Sequence, residues 1–231
     1  RPPRSTPSNS SAASDVYKRQ GLEVSCFSSG ARLYQPDAEA REQAIEEVRQ
    51  YARLCEAFSS PQIRVFGGSI PETSRDEAVA LACDVLEEMA RAAAPATVAV
   101  ETHDSWVETH LLAALFERVR AENVCVLWDL HHPYRMAGES PRQTYDNVGR
   151  HVGATHLKDS RPTTDGGYEY TLPGEGDVPL AEMVDLLKAG GYDGYLTLEW
   201  EKAWHPELAD PDVALPAYAK YMRKLARGCE G

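Results

Sequence analysis

The strongest constraint on the fold is a regular alternation between short apolar runs and longer amphipathic stretches. From Gly21 onward, runs of five or six residues rich in β-branched side chains alternate with stretches in which apolar residues recur at helical spacing. The predicted strands are Leu22–Phe27, Gln62–Phe66, Thr97–Glu101, Val124–Asp129, Ala154–Asp159, Tyr168–Leu172 and Tyr195–Trp200. This alternation favours a parallel sheet covered by helices.

Helices are predicted between and after these strands, and several carry end signals. The predicted ranges are Asp37–Phe58, Ser74–Ala94, Ser105–Ala121, Ser140–Val148, Pro179–Ala189 and Pro211–Arg227. Ser74 and Glu77 have the spacing of a capping box at a helix start. Ser105 and Glu108 repeat that spacing. The Gly190–Gly191 pair is typical of a helix C-terminus.

The number of strands predicts a closed barrel. An eight-stranded (β/α)8 TIM barrel takes about 250 residues, whereas seven strands are predicted in the 211 residues after Gln20. We therefore expect a barrel in residues 21–231 that lacks or replaces its first βα unit. A doubly wound open sheet is the rival, but no G-x-G-x-x-G or Walker-type loop follows any predicted strand.

Residues 1–20 are predicted to lie outside the barrel. This segment is rich in Ser, Pro and basic residues and has almost nothing to bury. Such a composition predicts a disordered segment, either a native arm or a non-native remnant. It has no apolar stretch of the kind that a signal peptide needs.

Composition argues against several partners. The net charge is -12, which disfavours a protein that binds nucleic-acid backbones. No apolar run approaches the roughly 18 residues that a membrane span requires. The five cysteines are scattered and form no C-x-x-C pair, so we expect reduced thiols in a cytoplasmic protein.

Polar residues stand at the carboxyl ends of the predicted strands, where a barrel keeps its chemistry. Glu101 and Asp129 close their strands, His156 and Lys158 share one face of a third, and Glu199 lies on the last. Each has an ordinary structural explanation, such as a helix cap or a buried core histidine. Carboxylates that converge would repel one another unless a cation lay among them. Three carboxylates and one imidazole suit Mn²⁺, Mg²⁺, Co²⁺ or Zn²⁺.

Four segments carry a family resemblance. VAVETHDSW, LWDLHHP, THLKD and LTLEWE resemble the sugar phosphate isomerase/epimerase family, the xylose isomerase-like barrels, over Gly21 to Arg227. The resemblance implies that a divalent metal ion is bound by a Glu after strand four, an Asp after strand five, a His on strand six and a Glu after strand eight. The implied ligands are Glu101, Asp129, His156 and Glu199.

The resemblance also implies a reaction and a substrate class. His132, three residues after Asp129, takes the place of a histidine that contacts substrate oxygen, and Lys158 that of a pocket-lining cation. A divalent ion would polarise the carbonyl of a sugar or sugar-phosphate-like substrate and acidify the adjacent C–H. Glu101 and Glu199 are then the expected base and acid, in either order, for isomerisation or epimerisation through an enediolate.

Two further residues are candidates for substrate binding. Arg64 faces inward by strand parity and is expected to bind a phosphate or hydroxyl, or else to form a structural salt bridge. His103, two residues after Glu101, is expected at the rim.

Other functions stay open at this point. They are an inosose dehydratase-like lyase on the same metal site, a non-catalytic truncated relative and, disfavoured by the acidic charge, an endonuclease IV-like DNA repair enzyme. Homo-oligomers are common among the proteins that the chain resembles.

Overall fold

The computed structural model of the chain describes residues 16–71 and 74–227. Within them, the main sheet has six strands in the order β1-β2-β3-β4-β5-β8, and a separate two-stranded sheet pairs β6 with β7. The strands are β1 (Phe27–Arg32), β2 (Gln62–Phe66), β3 (Thr97–Glu101), β4 (Val124–Asp129), β5 (Val152–Leu157), β6 (Asp159–Pro162), β7 (Tyr168–Thr171) and β8 (Leu196–Leu198). The helices are α1 (Ala38–Phe58), α2 (Arg75–Ala93), α3 (His110–Phe116), α4 (His132–Met136), α5 (Pro141–Val148), α6 (Leu180–Ala189) and α7 (Pro211–Arg227).

The chain divides into two compact units. The first contains the described residues up to 106 and residues 111–127. Its strands β1, β2 and β3 pair in parallel, and β3 pairs in parallel with the start of β4. Helices α1 and α2 pack on each other, and Val48 and Leu86 on their inner faces are fully buried. Helix α1 begins where the Asp37 carboxylate accepts a hydrogen bond from the N–H of Ala40 at 2.8 Å.

The second unit contains residues 107–110 and the described chain from residue 128. Strands β5 and β8 pair in parallel, with His156 opposite Thr197. The antiparallel β6–β7 hairpin follows β5 directly. Helix α6 buries Leu180, Met183, Val184 and Leu187 at the four-residue and three-residue spacing of an amphipathic helix.

The predicted alternation of parallel strands and helices is confirmed, but four strand predictions were wrong in detail. The strand predicted at Ala154–Asp159 covers Val152–Leu157, and Asp159 begins β6. The first strand covers Phe27–Arg32 instead of Leu22–Phe27. Tyr168–Leu172 was expected in the barrel sheet, whereas β7 pairs with β6 in the hairpin. The main sheet of the described residues therefore has six strands instead of seven. The last strand is also shorter than predicted, at Leu196–Leu198.

One predicted helix start was wrong, and one predicted cap lacks its hydrogen bond. Helix α2 begins directly after Ser74, as predicted, but the Ser74 side chain makes no capping hydrogen bond. The predicted helix from Ser105 is interrupted: a 3-10 turn covers Asp104–Val107 and α3 begins at His110. The Gly190–Gly191 helix end is confirmed, since Gly190 is the C-cap of α6 and Gly191 has a φ of 81°.

The predicted disordered segment lies mostly outside the described residues. Its last residues, 16–19, form a helical turn. The Tyr17 ring stacks on Phe58 with centroids 5.5 Å apart, at the end of α1. Within the described ranges, each helix is too short or too polar to cross a bilayer.

Candidate metal centre

Three predicted ligands lie together in the second unit. A carboxylate oxygen of Asp129, a ring nitrogen of His156 and a carboxylate oxygen of Glu199 lie within 4.8 Å of one another. We call these three residues the metal cluster. Asp129 is fully buried, His156 is buried, and the Glu199 side chain is 28% exposed.

Hydrogen bonds between neighbouring strands place these three side chains at the same height along the strand direction. The N–H of Leu130, just after β4, donates to the carbonyl of His156 at 2.9 Å. The N–H of Glu199, just after β8, donates to the carbonyl of Leu157 at 3.0 Å. The carboxyl ends of three strands therefore meet around the metal cluster, as the strand-end positions predict.

Lys158 lies among the carboxylates of this unit. Its Nζ donates to Asp129 Oδ2 at 2.7 Å, lies 3.0 Å from Glu201 Oε1, and donates to Glu199 Oε2. The side chain is 1% exposed. Three carboxylates thus surround one ammonium group, which leaves excess negative charge that suits a further cation.

The surroundings of both carboxyl groups of the metal cluster favour the ionised form. Burial raises the pKa of Asp129, but the nearby His132 and Lys158 outweigh it and hold that pKa well below its usual range. Burial likewise raises the pKa of Glu199, but the hydrogen bond with His156 and the charge of Lys158 lower it to about 2. Burial lowers the pKa of Lys158, yet Asp129 and Glu199 raise it above its ordinary value.

The donor set fits a divalent cation. Ionised carboxylate oxygens are the ligands that Mg²⁺ and Mn²⁺ prefer, and imidazole adds affinity for Zn²⁺ or Co²⁺. His156 Nδ1 lies 3.2 Å from Glu199 Oε1, and this contact fixes the orientation of the imidazole ring and therefore of Nε2.

Two histidines after β4 adjoin Asp129. Its Oδ1 accepts the N–H groups of His131 at 2.9 Å and His132 at 3.2 Å. His132 Nδ1 lies 3.3 Å from Asp129 Oδ2, which keeps this predicted substrate ligand beside the metal cluster. His131 Nε2 is 2.9 Å from Ser160 Oγ, and burial lowers the pKa of His131 to about 3. Sequence reasoning gave His131 no role.

In the first unit, Glu101 and Arg64 form an ion pair. Glu101 closes β3, is 1% exposed, and has Oε2 3.2 Å from Arg64 Nε. Arg64 also donates to the carbonyl of Ser29 at 2.8 Å, and its guanidinium lies 3.9 Å from the centroid of Phe66. Arg64 is therefore held in place by contacts within its own unit.

His103 lies near the same strand ends. Its Nδ1 is 3.1 Å from Asp104, and its ring packs on Phe66 with centroids 4.7 Å apart. The hydrogen bond from His103 lowers the pKa of Asp104 more than burial raises it.

The glycine-containing loop of residues 174–178 resembles a phosphate-binding loop, but its N–H groups bind a carboxylate of the chain itself. Asp159 Oδ2 accepts the N–H groups of Gly174 at 2.8 Å and Gly176 at 3.0 Å. Its Oδ1 accepts the N–H of Val178 at 3.3 Å. We call this arrangement the loop anchor. Sequence reasoning did not find the role of Asp159, which follows Lys158 directly.

Fold and site together define an α/β protein with an acidic, histidine-containing cluster at its strand ends. The sequence profile of the xylose isomerase-like TIM barrel matches residues 3–225. The chain therefore belongs to this family. A comparison with curated protein sequences gave no match.

Solved structures agree with this fold. The IOLI protein with a bound zinc atom has a TM-score of 0.78 at 16% identity, over 94% of this chain and 81% of that one. The probable 3-DHS dehydratase AsbF from Bacillus anthracis has a TM-score of 0.74 at 19% identity, over 94% and 82%. The 3-keto-D-glucoside 4-epimerase YcjR from E. coli has a TM-score of 0.71 at 15% identity, over 96% and 85%.

Proposed function

We propose that the chain is a divalent-metal-dependent isomerase or epimerase that acts on a sugar or a sugar-phosphate-like hydroxy-carbonyl compound. The observation that carries the proposal is the metal cluster, which joins two ionised carboxylates and an imidazole at strand ends. Membership of a barrel family with sugar-epimerase neighbours supports the substrate class.

The proposed ligands are Asp129, His156 and Glu199, with Glu101 as the fourth. Glu101 enters through the family resemblance and through its place at the end of β3, because strand ends of a barrel surround one pocket. Mn²⁺, Mg²⁺, Co²⁺ and Zn²⁺ are the candidate ions. When bound, such an ion polarises a substrate carbonyl and acidifies the neighbouring C–H group.

The chain supplies the proton transfers. One of Glu101 and Glu199 removes the proton next to the carbonyl, and the other returns a proton to the enediolate. Delivery to the opposite face of the same carbon gives an epimer, and delivery to the adjacent carbon gives the aldose or ketose isomer. The low pKa of Glu199 keeps this carboxylate ionised at neutral pH, which is the form that a base needs.

His132, Lys158, Arg64 and His103 are the proposed substrate-binding residues. His132 and Lys158 both contact Asp129, so they lie where oxyanion charge would develop. Arg64, within β2, is assigned to a substrate phosphate or hydroxyl by its inward-facing strand parity, and His103, two residues after the end of β3, is assigned to the rim. We place the enzyme in the cytoplasm, on cysteine usage.

A lyase of the inosose dehydratase type is the second candidate. The similarity to a probable dehydratase favours it, and both reactions begin with the same proton abstraction. The products distinguish them, since only the lyase releases water from the substrate.

Proton exchange tests the proposal. The full chain with Mn²⁺ is incubated in D₂O with a panel of ketoses and inososes, and deuterium incorporation and product identity are followed by NMR. We expect exchange with the wild-type chain and loss of at least about 100-fold in Glu199→Gln. The matched control is Glu169→Gln, an exposed carboxylate paired with Arg161. Equal exchange by Glu199→Gln and wild type would refute the assignment.

A further inference from the structure

The ammonium group of Lys158 and a divalent cation need the same two carboxylates. Asp129 Oδ1 accepts two backbone N–H groups, whereas Oδ2 binds Lys158 and lies 3.3 Å from His132 Nδ1. Glu199 divides its oxygens similarly, with Oε1 beside His156 and Oε2 bound by Lys158. A cation that binds both carboxylates therefore displaces Lys158 from them or shares them with it against charge repulsion.

A Lys158 side chain that a cation displaces cannot move into solvent. Its side chain is 1% exposed, and a buried ammonium group without a partner is strongly unfavourable. Glu201 offers a third carboxylate, with Oε1 already 3.0 Å from Nζ. The Tyr170 hydroxyl donates to this Oε1 at 3.2 Å and so holds it in place. Glu201 is not among the proposed metal ligands.

We infer that Glu201 is the carboxylate that receives Lys158 when a divalent cation takes Asp129 and Glu199. The inference rests on the proposed metal site. Lys158 stays charged and buried, and only its hydrogen-bond partner changes. Lys158 then opposes metal binding, whereas Glu201 favours it by holding the displaced ammonium group. Glu201 is in this account a positioning residue that acts through Lys158.

A double-mutant cycle on the full chain tests this coupling. Calorimetry measures the Mn²⁺ affinity of wild type, Lys158→Met, Glu201→Gln and the double variant. We expect Lys158→Met to bind Mn²⁺ at least about tenfold more tightly than wild type, and Glu201→Gln at least about tenfold more weakly. In the Lys158→Met background, Glu201→Gln should change the affinity less than about threefold. Glu207→Gln, in the same loop but paired with His205, is the matched control for charge.

The outcomes separate the two proposals. An equal effect of Glu201→Gln in both backgrounds means that Glu201 acts only through its charge, and it overturns the transfer while the metal site stands. Absence of Mn²⁺ binding by the wild-type chain overturns both. If Lys158→Met does not fold, a crystal structure of the wild-type chain with Mn²⁺ decides. We expect Nζ to contact Glu201 alone, and retained contacts with both Asp129 and Glu199 would refute the transfer.

Discussion

The metal cluster and the loop anchor adjoin in sequence, but their buried carboxylates have different partners: charged side chains in the first and neutral backbone N–H groups in the second. Lys158 and Asp159 adjoin in sequence, and both are 1% exposed. Asp159 is surrounded by neutral backbone N–H groups, and burial raises its pKa more than these groups lower it. Asp129, beside Lys158 and His132, has a lowered pKa. A buried carboxylate alone therefore does not mark a metal site; several carboxylates that converge in excess of the cationic charge do.

The largest effect is expected when Lys158, the cationic partner of the metal cluster, is removed. Lys158→Met leaves Asp129 buried beside other carboxylates, so we expect the metal-free chain to lose about 3–5 kcal/mol of unfolding free energy. Urea unfolding with a chelator measures it. The exposed Lys188, 3.9 Å from Asp185, provides the control, and Lys188→Met should cost less than about 1 kcal/mol. Equal losses would show that Lys158 compensates no buried charge.

Removing the loop anchor should have a smaller effect of a different kind. Asp159→Asn has one acceptor oxygen fewer, so either the part-buried N–H groups of Gly174 and Gly176 or the buried ones of Ser160 and Val178 lose their acceptor, at a cost of about 1–3 kcal/mol. Because no charge of the metal cluster changes, Mn²⁺ affinity should stay within about threefold of wild type. Urea unfolding and calorimetry measure the two quantities. A loss of metal binding would show that the two regions are coupled.

The smallest expected effect is on stability in acid. As pH falls, the metal cluster loses stabilising free energy, whereas the loop anchor gains it. The pKa of Glu199 is lowered, so its contribution is present above the unfolded value of about 4.3 and is lost as pH falls toward about 2. The pKa of Asp159 is raised, so its contribution is present at low pH and is lost as pH rises through the raised value. The unfolding temperature of the metal-free chain should therefore decrease between about pH 5 and about pH 3 less steeply in Glu199→Gln than in wild type. In Asp159→Asn it should decrease more steeply than in wild type. Identical slopes in the three proteins would contradict these assignments.

Local sequence patterns predicted most elements of the fold but not all of their pairings. Helix α1 and strand β3 follow directly from apolar periodicity. Strand β1, with the sequence FSSGAR, is too polar to be recognised without its partner β2. The alternating pattern of Tyr168–Leu172 predicted a strand but not that its partner would be β6.

A distant contact also shaped the interrupted helix near residue 105. The N–H of Thr109 donates to Glu139 at 2.8 Å, and the Thr109 hydroxyl donates to the same carboxylate at 2.6 Å. This buried carboxylate holds residues 107–110 in the second unit, so the chain turns before α3 begins. The helical spacing of residues 105–121 carries no sign of that contact.

The candidate site was predictable where strand parity applies. Strand-end positions predicted Asp129, His156 and Glu199, which lie together in the second unit. Glu201 shares a face with Glu199 by parity, yet its contact with Lys158 required coordinates. His131 and Asp159 gave no sequence signal, because their partners lie about 15 to 29 residues away.

Mn²⁺ binding by matched variants tests the central claim most directly. Calorimetry on the full chain compares wild type with Asp129→Asn in the metal cluster and Asp159→Asn in the loop anchor. We predict one ion per chain for wild type and Asp159→Asn, and affinity reduced at least about 100-fold in Asp129→Asn. Undiminished Mn²⁺ affinity in Asp129→Asn would contradict the account.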